Sequence, residues 1–170
     1  MKKLLPIICM SLFSAIFSHA GEGKRVKPYA APVVEAQDQD GKAVKLEDYY
    51  KKGLTLVYFY PKADTPGCTK QACSLRDSYE ELTKAGVHVI GVSMDKTESQ
   101  KKFQEKYKLP FTLLADPDGK VVKAFGVGSF LGLASRQAFL IKDGQVIWHD
   151  KKASTSEQAA DVLLVLKESK

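Results

Sequence analysis

Cys68 and Cys73 are the side chains of this chain best suited to covalent chemistry. They lie in the stretch Pro61-Lys62-Ala63-Asp64-Thr65-Pro66-Gly67-Cys68-Thr69-Lys70-Gln71-Ala72-Cys73. Residues 54–60, Leu-Thr-Leu-Val-Tyr-Phe-Tyr, come just before and read as a buried strand, being β-branched, aromatic and uncharged. A helical pattern follows. Pro61, Pro66 and Gly67 punctuate the join, so a strand feeds a tight loop and the loop opens a helix. Cys68 then falls at or just inside the first helical turn. Unpaired backbone N–H groups and the positive end of the helix dipole favour an anion there, and a thiolate is such an anion.

The spacing of the two cysteines constrains their chemistry. Over five residues an unbroken helix rises about 7.5 Å and turns about 500°, which puts the side chains on different faces. The Cα atoms would be about 8.6 Å apart, beyond the ~7 Å limit for a disulfide. Cys68 and Cys73 therefore cannot bond while the helix is intact, and a disulfide would come with local unwinding. A nucleophilic thiolate near a second thiol suits one cycle. Cys68 attacks an electrophile and becomes a sulfenic acid, Cys73 condenses with it, and an external dithiol reduces the bridge. A purely structural disulfide would close a very short loop and break a helix the sequence favours.

Other chemistries find less support. The pair is not a Cys-x-x-Cys of a disulfide exchanger, and no second cysteine pair or local histidine pair marks a zinc site. His88 and His149 fall in strand-like runs without companions at ligand spacing. No phosphate-binding glycine motif and no Gly-x-Ser-x-Gly are present. The formal charge of +6 comes from scattered lysines, not interleaved with aromatics, and calls for no nucleic acid.

The 170 residues are 44% hydrophobic and 27% charged, enough for one soluble domain with a core. Met1-Lys2-Lys3 is basic, residues 4–17 are almost wholly apolar, and Ser18-His19-Ala20 sets small residues before Gly21. This is a secretory signal pattern, too short for a comfortable membrane span; a retained anchor is the rival reading. We expect residues 1–20 to be removed as a signal peptide. Residues 21–170 would then form a single domain in the bacterial periplasm, with no stable membrane insertion. Cys9 leaves with the signal, and in an oxidising compartment a Cys68–Cys73 disulfide is the default state.

The elements that must position the cysteines follow in order. Residues 21–31 read as a flexible start. Residues 32–36 and 42–46 form an N-terminal β-hairpin about the turn at 38–41. A helical turn spans 46–52, followed by the central strand. One helix runs from about 68 to 85, its apolar face Ala72, Leu75, Tyr79 and Leu82, with Gly86 beyond its end. A strand at 87–93 precedes a helix at 97–108 that Thr97 caps and Pro110 ends, then a strand at 111–115. Residues 121–127 fit a strand or a helix, and 126–135 form a glycine-rich loop carrying Phe130, Leu131 and Leu133. Strands at 136–141 and 145–149 flank the hairpin signal Asp143-Gly144. A closing helix at 156–167 buries Ala160, Leu163, Leu164 and Leu166. This order predicts an α/β fold, a central mixed β-sheet flanked by helices, of thioredoxin-like type.

Pro61-x-x-x-Thr65-x-x-Cys68 resembles the peroxiredoxin active-site signature. The longer run from Thr65 through Cys73 to Ser74-Leu75-Arg76-Asp77 is similar to the bacterioferritin-comigratory (peroxiredoxin Q) group. Arg136, opening Arg136-Gln137-Ala138-Phe139-Leu140-Ile141, matches that family's second active-site position. The resemblance covers essentially the whole chain after the signal. It implies an atypical two-cysteine thiol peroxidase without metal or organic cofactor, acting on hydrogen peroxide and organic hydroperoxides. Cys68 would be the peroxidatic cysteine and Cys73 the resolving one. Thr65 would hydrogen-bond the peroxide, Arg136 would stabilise the thiolate and polarise the O–O bond, and Pro61 would shape and dry the pocket. A thioredoxin-like dithiol would recycle the enzyme, here an exported one, and the chain would be a monomer or weak homodimer. The group commonly has Glu where this chain has Gln71, which removes a negative charge near Cys68. Two other readings stay open: an exported thiol–disulfide exchange protein on the same fold, and a copper-binding carrier using Cys68, Cys73 and His149.

Overall fold

A computed structural model describes residues 23–168. The expected signal peptide at 1–20 lies outside them. The elements run β1 (Lys24–Ala30), β2 (Glu35–Asp38), β3 (Ala43–Lys45), α1 (Leu46–Tyr50), β4 (Leu54–Phe59), α2 (Pro66–Asp77), α3 (Tyr79–Lys84), β5 (Val87–Ser93), α4 (Thr97–Tyr107), β6 (Thr112–Ala115), α5 (Lys120–Ala124), β7 (Ser129–Phe130), β8 (Leu133–Ala134), β9 (Gln137–Lys142), β10 (Gln145–Asp150) and α6 (Gln158–Lys167). Eight strands make one sheet in the order β1-β10-β9-β4-β5-β6-β2-β3. β4, β5 and β6 are parallel, and the remaining pairs are antiparallel. The fold is a thioredoxin-like mixed sheet covered on both faces.

The surroundings of β4 show why its sequence is almost wholly apolar. Leu56, Tyr58 and Tyr60 point into one core with Ala72, Leu75, Phe103 and Trp148. Val57 and Phe59 point into the other, with Leu46, Val121 and Phe125. A central strand buried on both faces, parallel to β5 and antiparallel to β9, carries apolar residues at nearly every position, buried Thr55 being the exception, and alternation disappears. Gly91 makes room for Tyr58 across the β4–β5 pair. A Cβ there would stand 2.7 Å from Leu113 Cδ2 and 2.8 Å from Tyr58 Cζ.

Several expectations change. Residues 24–30 are not a loose start: β1 pairs with β10, Arg25 opposite Trp148 and Tyr29 opposite Val146, with an irregularity between. An exposed edge strand lacks the apolar alternation that marks strands, and Pro28 is tolerated where the ladder is interrupted. The single helix expected at 68–85 is two, parted at Ser78, whose ψ of 10° breaks the helical run. The apolar spacing continues across that break, so periodicity cannot reveal it. Thr97 opens α4 but does not cap it. Lys96 holds the N-cap position, and Thr97 Oγ1 lies 3.5 Å from Gln37 Oε1. The helix stops at Lys108, in the left-handed region at φ 51°, before Pro110 acts. Residues 120–124 are helical because Asp116 accepts from the N–H groups of Val121 and Val122, at 3.1 and 2.9 Å. The loop at 126–135 carries the short ribbon β7–β8. On α6 the buried face is Gln158, Ala159, Asp161, Val162 and Val165. Ala160 and Leu164 point to solvent, while Leu163 and Leu166 pack at the margin. Two buried polar residues on that face hid it from an apolar pattern.

His149 stacks on Phe139 with ring centroids 4.1 Å apart, and its Nε2 is hydrogen-bonded to Gln137 Oε1 at 2.8 Å. Burial, with the nearby charge of Lys151, holds its imidazole below the ordinary value of 6.5. The unfolded chain takes up a proton near that pH which the folded chain resists. This contribution is therefore intact above pH 6.5 and lost as the pH falls below it. Tm should drop between about pH 7 and about pH 5.5, less steeply in His149→Gln than in the parent. Equal slopes in thermal melts of the two proteins would remove His149 from the acid response.

Candidate active site

The loop between β4 and α2 is held on both sides. Tyr60 N–H donates to Val92 O at 3.1 Å, which keeps the chain in the β4–β5 ladder as it leaves the sheet. Ala63 N–H donates to Asp95 Oδ2 at 2.7 Å, and that carboxylate also accepts from Ser93 Oγ at 2.7 Å. Asp64 then adopts a left-handed conformation, φ 58°, which an Asp tolerates better than most residues. Its carboxylate accepts from Lys106 Nζ at 2.9 and 2.8 Å and from Tyr107 Oη at 2.6 Å. Those donors hold the Asp64 carboxyl below its ordinary range. Tyr107 also touches α2 itself, its carbonyl accepting from Arg76 Nη1 at 2.9 Å.

Thr65 is the N-cap of α2 through its backbone: its carbonyl accepts Thr69 N–H at 2.8 Å, and its side chain caps nothing. Thr65 Oγ1 donates to Lys62 O at 3.0 Å and closes the loop. Pro66 opens the helix, where its missing N–H costs nothing. Cys68 therefore lies in the first turn, only 1% exposed. Arg136 Nη2 donates to Cys68 Sγ at 3.4 Å, and Arg136 Nη1 donates to Gln71 Oε1. Gly67 leaves room for the guanidinium, since a Cβ there would approach Arg136 Nη2 to 3.3 Å. Pro61 starts the loop and borders a cleft of about 350 Å³ with Lys62, Met94, Asp95, Leu131 and Leu133.

Cys73 lies half-buried further along α2, and both cysteines are free thiols. α2 is unbroken between them, so the spacing argument applies as drawn. Tyr58 and Tyr60 lie in the same core as Cys68, and burial pushes both phenols well up, which keeps them neutral beside the thiol. The structure thus sets Arg136 against Cys68, while Thr65 and Pro61 share the preceding loop, Thr65 bonded to Lys62 O and Pro61 on a cleft whose lining does not include Cys68. His149 is engaged with Phe139 and Gln137. Among the described residues it does not join the cysteines, and no three His, Cys, Asp or Glu side chains form a metal site. Asp64, Asp95, Lys106 and Tyr107 carry no signal at sequence level beyond the position of Asp64 inside the motif. Their partners are 31 to 43 residues away.

A buried thiol in the first turn of a helix, at the end of a central strand and facing an arginine, defines the thioredoxin-like architecture of peroxiredoxins. A chloroplastic peroxiredoxin Q of Oryza sativa is 50% identical over 127 residues, covering 74% of this chain. The matched region spans 58% of the rice protein's length. The structure of peroxidoxin BcpB from Mycobacterium tuberculosis superposes with a TM-score of 0.74 at 32% identity, covering 89% of this chain and 99% of that one. The bacterioferritin comigratory protein of Xanthomonas campestris gives a TM-score of 0.75 at 29% identity, covering 86% of this chain and 99% of that one. The AhpC/TSA family model matches residues 29–149, and the chain belongs to that family and, within it, to the peroxiredoxin Q group. The plant relatives also overturn the expected bacterial periplasmic location, because they are chloroplastic proteins.

The Asp64 clamp generates a test. Asp64→Ala should slow the consumption of the Cys68 thiol by hydrogen peroxide on the order of tenfold, because the loop that positions the first turn of α2 loses its anchor. Asp64→Asn, which keeps an acceptor and tolerates the left-handed conformation, should retain most of the rate. Equal rates for Asp64→Ala and the parent, followed by thiol counting, would show that the loop holds without the clamp.

Proposed function

We propose that this chain is a thiol peroxidase that reduces hydrogen peroxide and organic hydroperoxides. The observation that carries the reading is the Cys68 sulfur, 1% exposed in the first turn of α2, with Arg136 Nη2 3.4 Å away. Cys68 thiolate attacks the terminal oxygen of the hydroperoxide. An S–O bond forms, the O–O bond breaks, and the other oxygen leaves with a proton as water or alcohol. Arg136 faces the negative charge that moves from sulfur to the leaving oxygen, and the first-turn N–H groups of α2 add fixed positive potential. The Thr65 hydroxyl and the Cys68 N–H would hold the peroxide in line, and Pro61 would shape that side of the pocket.

The product is a Cys68 sulfenic acid. Cys73 attacks its sulfur, the hydroxyl leaves with the thiol proton as water, and a Cys68–Cys73 disulfide forms as α2 unwinds locally. A thioredoxin-like dithiol protein then reduces the bridge, its own thiols becoming the disulfide. Both cysteines lie on one helix of one chain, so the cycle needs no second copy. The Xanthomonas relative, described by its alkyl peroxide reduction activity, supports an organic substrate class. We further infer that residues 1–20 are a removable leader and that 21–170 form one domain.

Reduced protein mixed with hydrogen peroxide should lose thiols in a rapid second-order step, followed by the fluorescence of Trp148, the only tryptophan. Cys68→Ser should abolish peroxide consumption. Cys73→Ser should complete one oxidation and then stall or reach the sulfinic acid, seen as a mass gain. Peroxide consumption by Cys68→Ser at the parent rate would sink the reading. Normal recycling of Cys73→Ser by thioredoxin would remove Cys73 from the resolving role.

A further inference from the structure

Gln71 and Gln158 are both 0% exposed and face each other across the α2–α6 interface. Gln71 lies one turn beyond Cys68. Its Oε1 accepts from Arg136 Nη1, and its Nε2 donates to Gln158 Oε1 at 2.5 Å. The other end of the Gln158 amide, Nε2, is buried without a hydrogen-bond partner. One turn further along α2, Ser74 Oγ donates to Ser156 O at 2.8 Å. Two hydrogen bonds thus fasten α2, at positions bracketing Cys73, to the entry of α6. Around them the interface is apolar, with Ala72, Leu75, Ala153, Ala159 and Val162 in the same core. A buried amide pair in such a place is costly to open, because each group left behind has no water to turn to.

This pair stands in the way of the disulfide. Cys68 and Cys73 must come within about 7 Å at Cα from about 8.6 Å in a wound helix, and the turn between them carries Gln71. Unwinding that turn takes Gln71 away from both Arg136 and Gln158. Gln158, already unsatisfied at Nε2, would then be unsatisfied at Oε1 as well. We propose that Gln158 is a positioning residue, a bolt that holds Gln71 and the first turns of α2 wound, and that the entry of α6 loosens when the Cys68–Cys73 disulfide forms. The bolt sets the fate of the Cys68 sulfenic acid. Either Cys73 captures it, forming the S–S bond and releasing water, or a second hydroperoxide oxidises it. In that second event the O–O bond breaks, a sulfinic acid forms and water or alcohol leaves. This inference rests on the roles proposed above for Cys68 and Cys73.

The test uses the full chain and the variants Gln158→Met, which keeps the volume but removes the acceptor, and Gln158→Glu, which keeps an acceptor oxygen. Each is equilibrated in glutathione buffers, and the Cys68–Cys73 disulfide is quantified by peptide mapping. Gln158→Met should favour the disulfide by roughly two- to tenfold in the equilibrium constant, the worth of one buried hydrogen bond. The peroxide concentration giving half-maximal sulfinic acid should rise by a similar factor, and Gln158→Glu should stay near the parent. Hydrogen exchange of the parent should show lost protection at residues 156–162 in the disulfide form. A folded Gln158→Met with an unchanged equilibrium would overturn the proposal. So would equal α6 protection in both redox forms, which needs no variant to fold, and so would failure of the parent to form this disulfide in any buffer. A parent that forms the disulfide but does not consume peroxide defeats the peroxidase reading alone, since the redox equilibrium and the exchange data test the bolt without it.

Discussion

A buried sulfur that is to react as an anion needs fixed positive charge in the place of a hydration shell. The groups around the buried Cys68 sulfur are arranged to that constraint. The first turn of α2 supplies N–H groups with no intrahelical partner, and Arg136 supplies the full charge from the loop just before β9, more than sixty residues away. For both to aim at one atom, the helix must start at a defined point. Pro66 fixes the start, the Thr65 backbone receives the first helical bond, and Gly67 lets the guanidinium approach. The sheet then brings β9 beside β4, so that Arg136, just ahead of β9, arrives at the end of the strand that launches α2.

In the proposed cycle the same site must be firm for one step and yielding for the next. Pre-organised donors accelerate charge transfer because they need no rearrangement at the moment of reaction. A helix held that firmly also keeps its two thiols apart. The contacts on α2 divide accordingly. Arg136 and the Asp64 and Asp95 anchors hold the entry, while the Gln71–Gln158 and Ser74–Ser156 bonds hold the stretch that the proposed disulfide would open.

Much of this was legible in the residue order. The strand-loop-helix around Cys68, the hairpin about Asp143-Gly144 and the alternation of helices with strands are local signals, and each lies where it was read. Arg136 was found through a family resemblance alone, since its partner is 68 residues distant and an isolated Arg reads as a surface cation. β1 escaped because an exposed edge strand lacks the apolar alternation used to find strands. The break at Ser78 escaped because a continuous apolar stripe carries across it. The buried face of α6 was misread because leucines outweigh a Gln and an Asp in any hydropathy pattern. Yet those polar residues are the ones that turn inward. What sequence could not convey is pairing between distant polar groups, and the site is made largely of such pairs.

Tyr107 grips α2 at both ends, its hydroxyl on Asp64 just before the helix and its carbonyl on Arg76 near the far end. A helix pinned at two points can shed turns but cannot slide. Each residue that leaves helical geometry lengthens the chain from about 1.5 Å to about 3.3 Å along its path, so five such residues release about 9 Å of slack. With both ends held, that slack has nowhere to go along the axis and must bow outward into solvent. In the proposed cycle, the oxidation state of two sulfurs would then be written on the outline of the protein as a bulge.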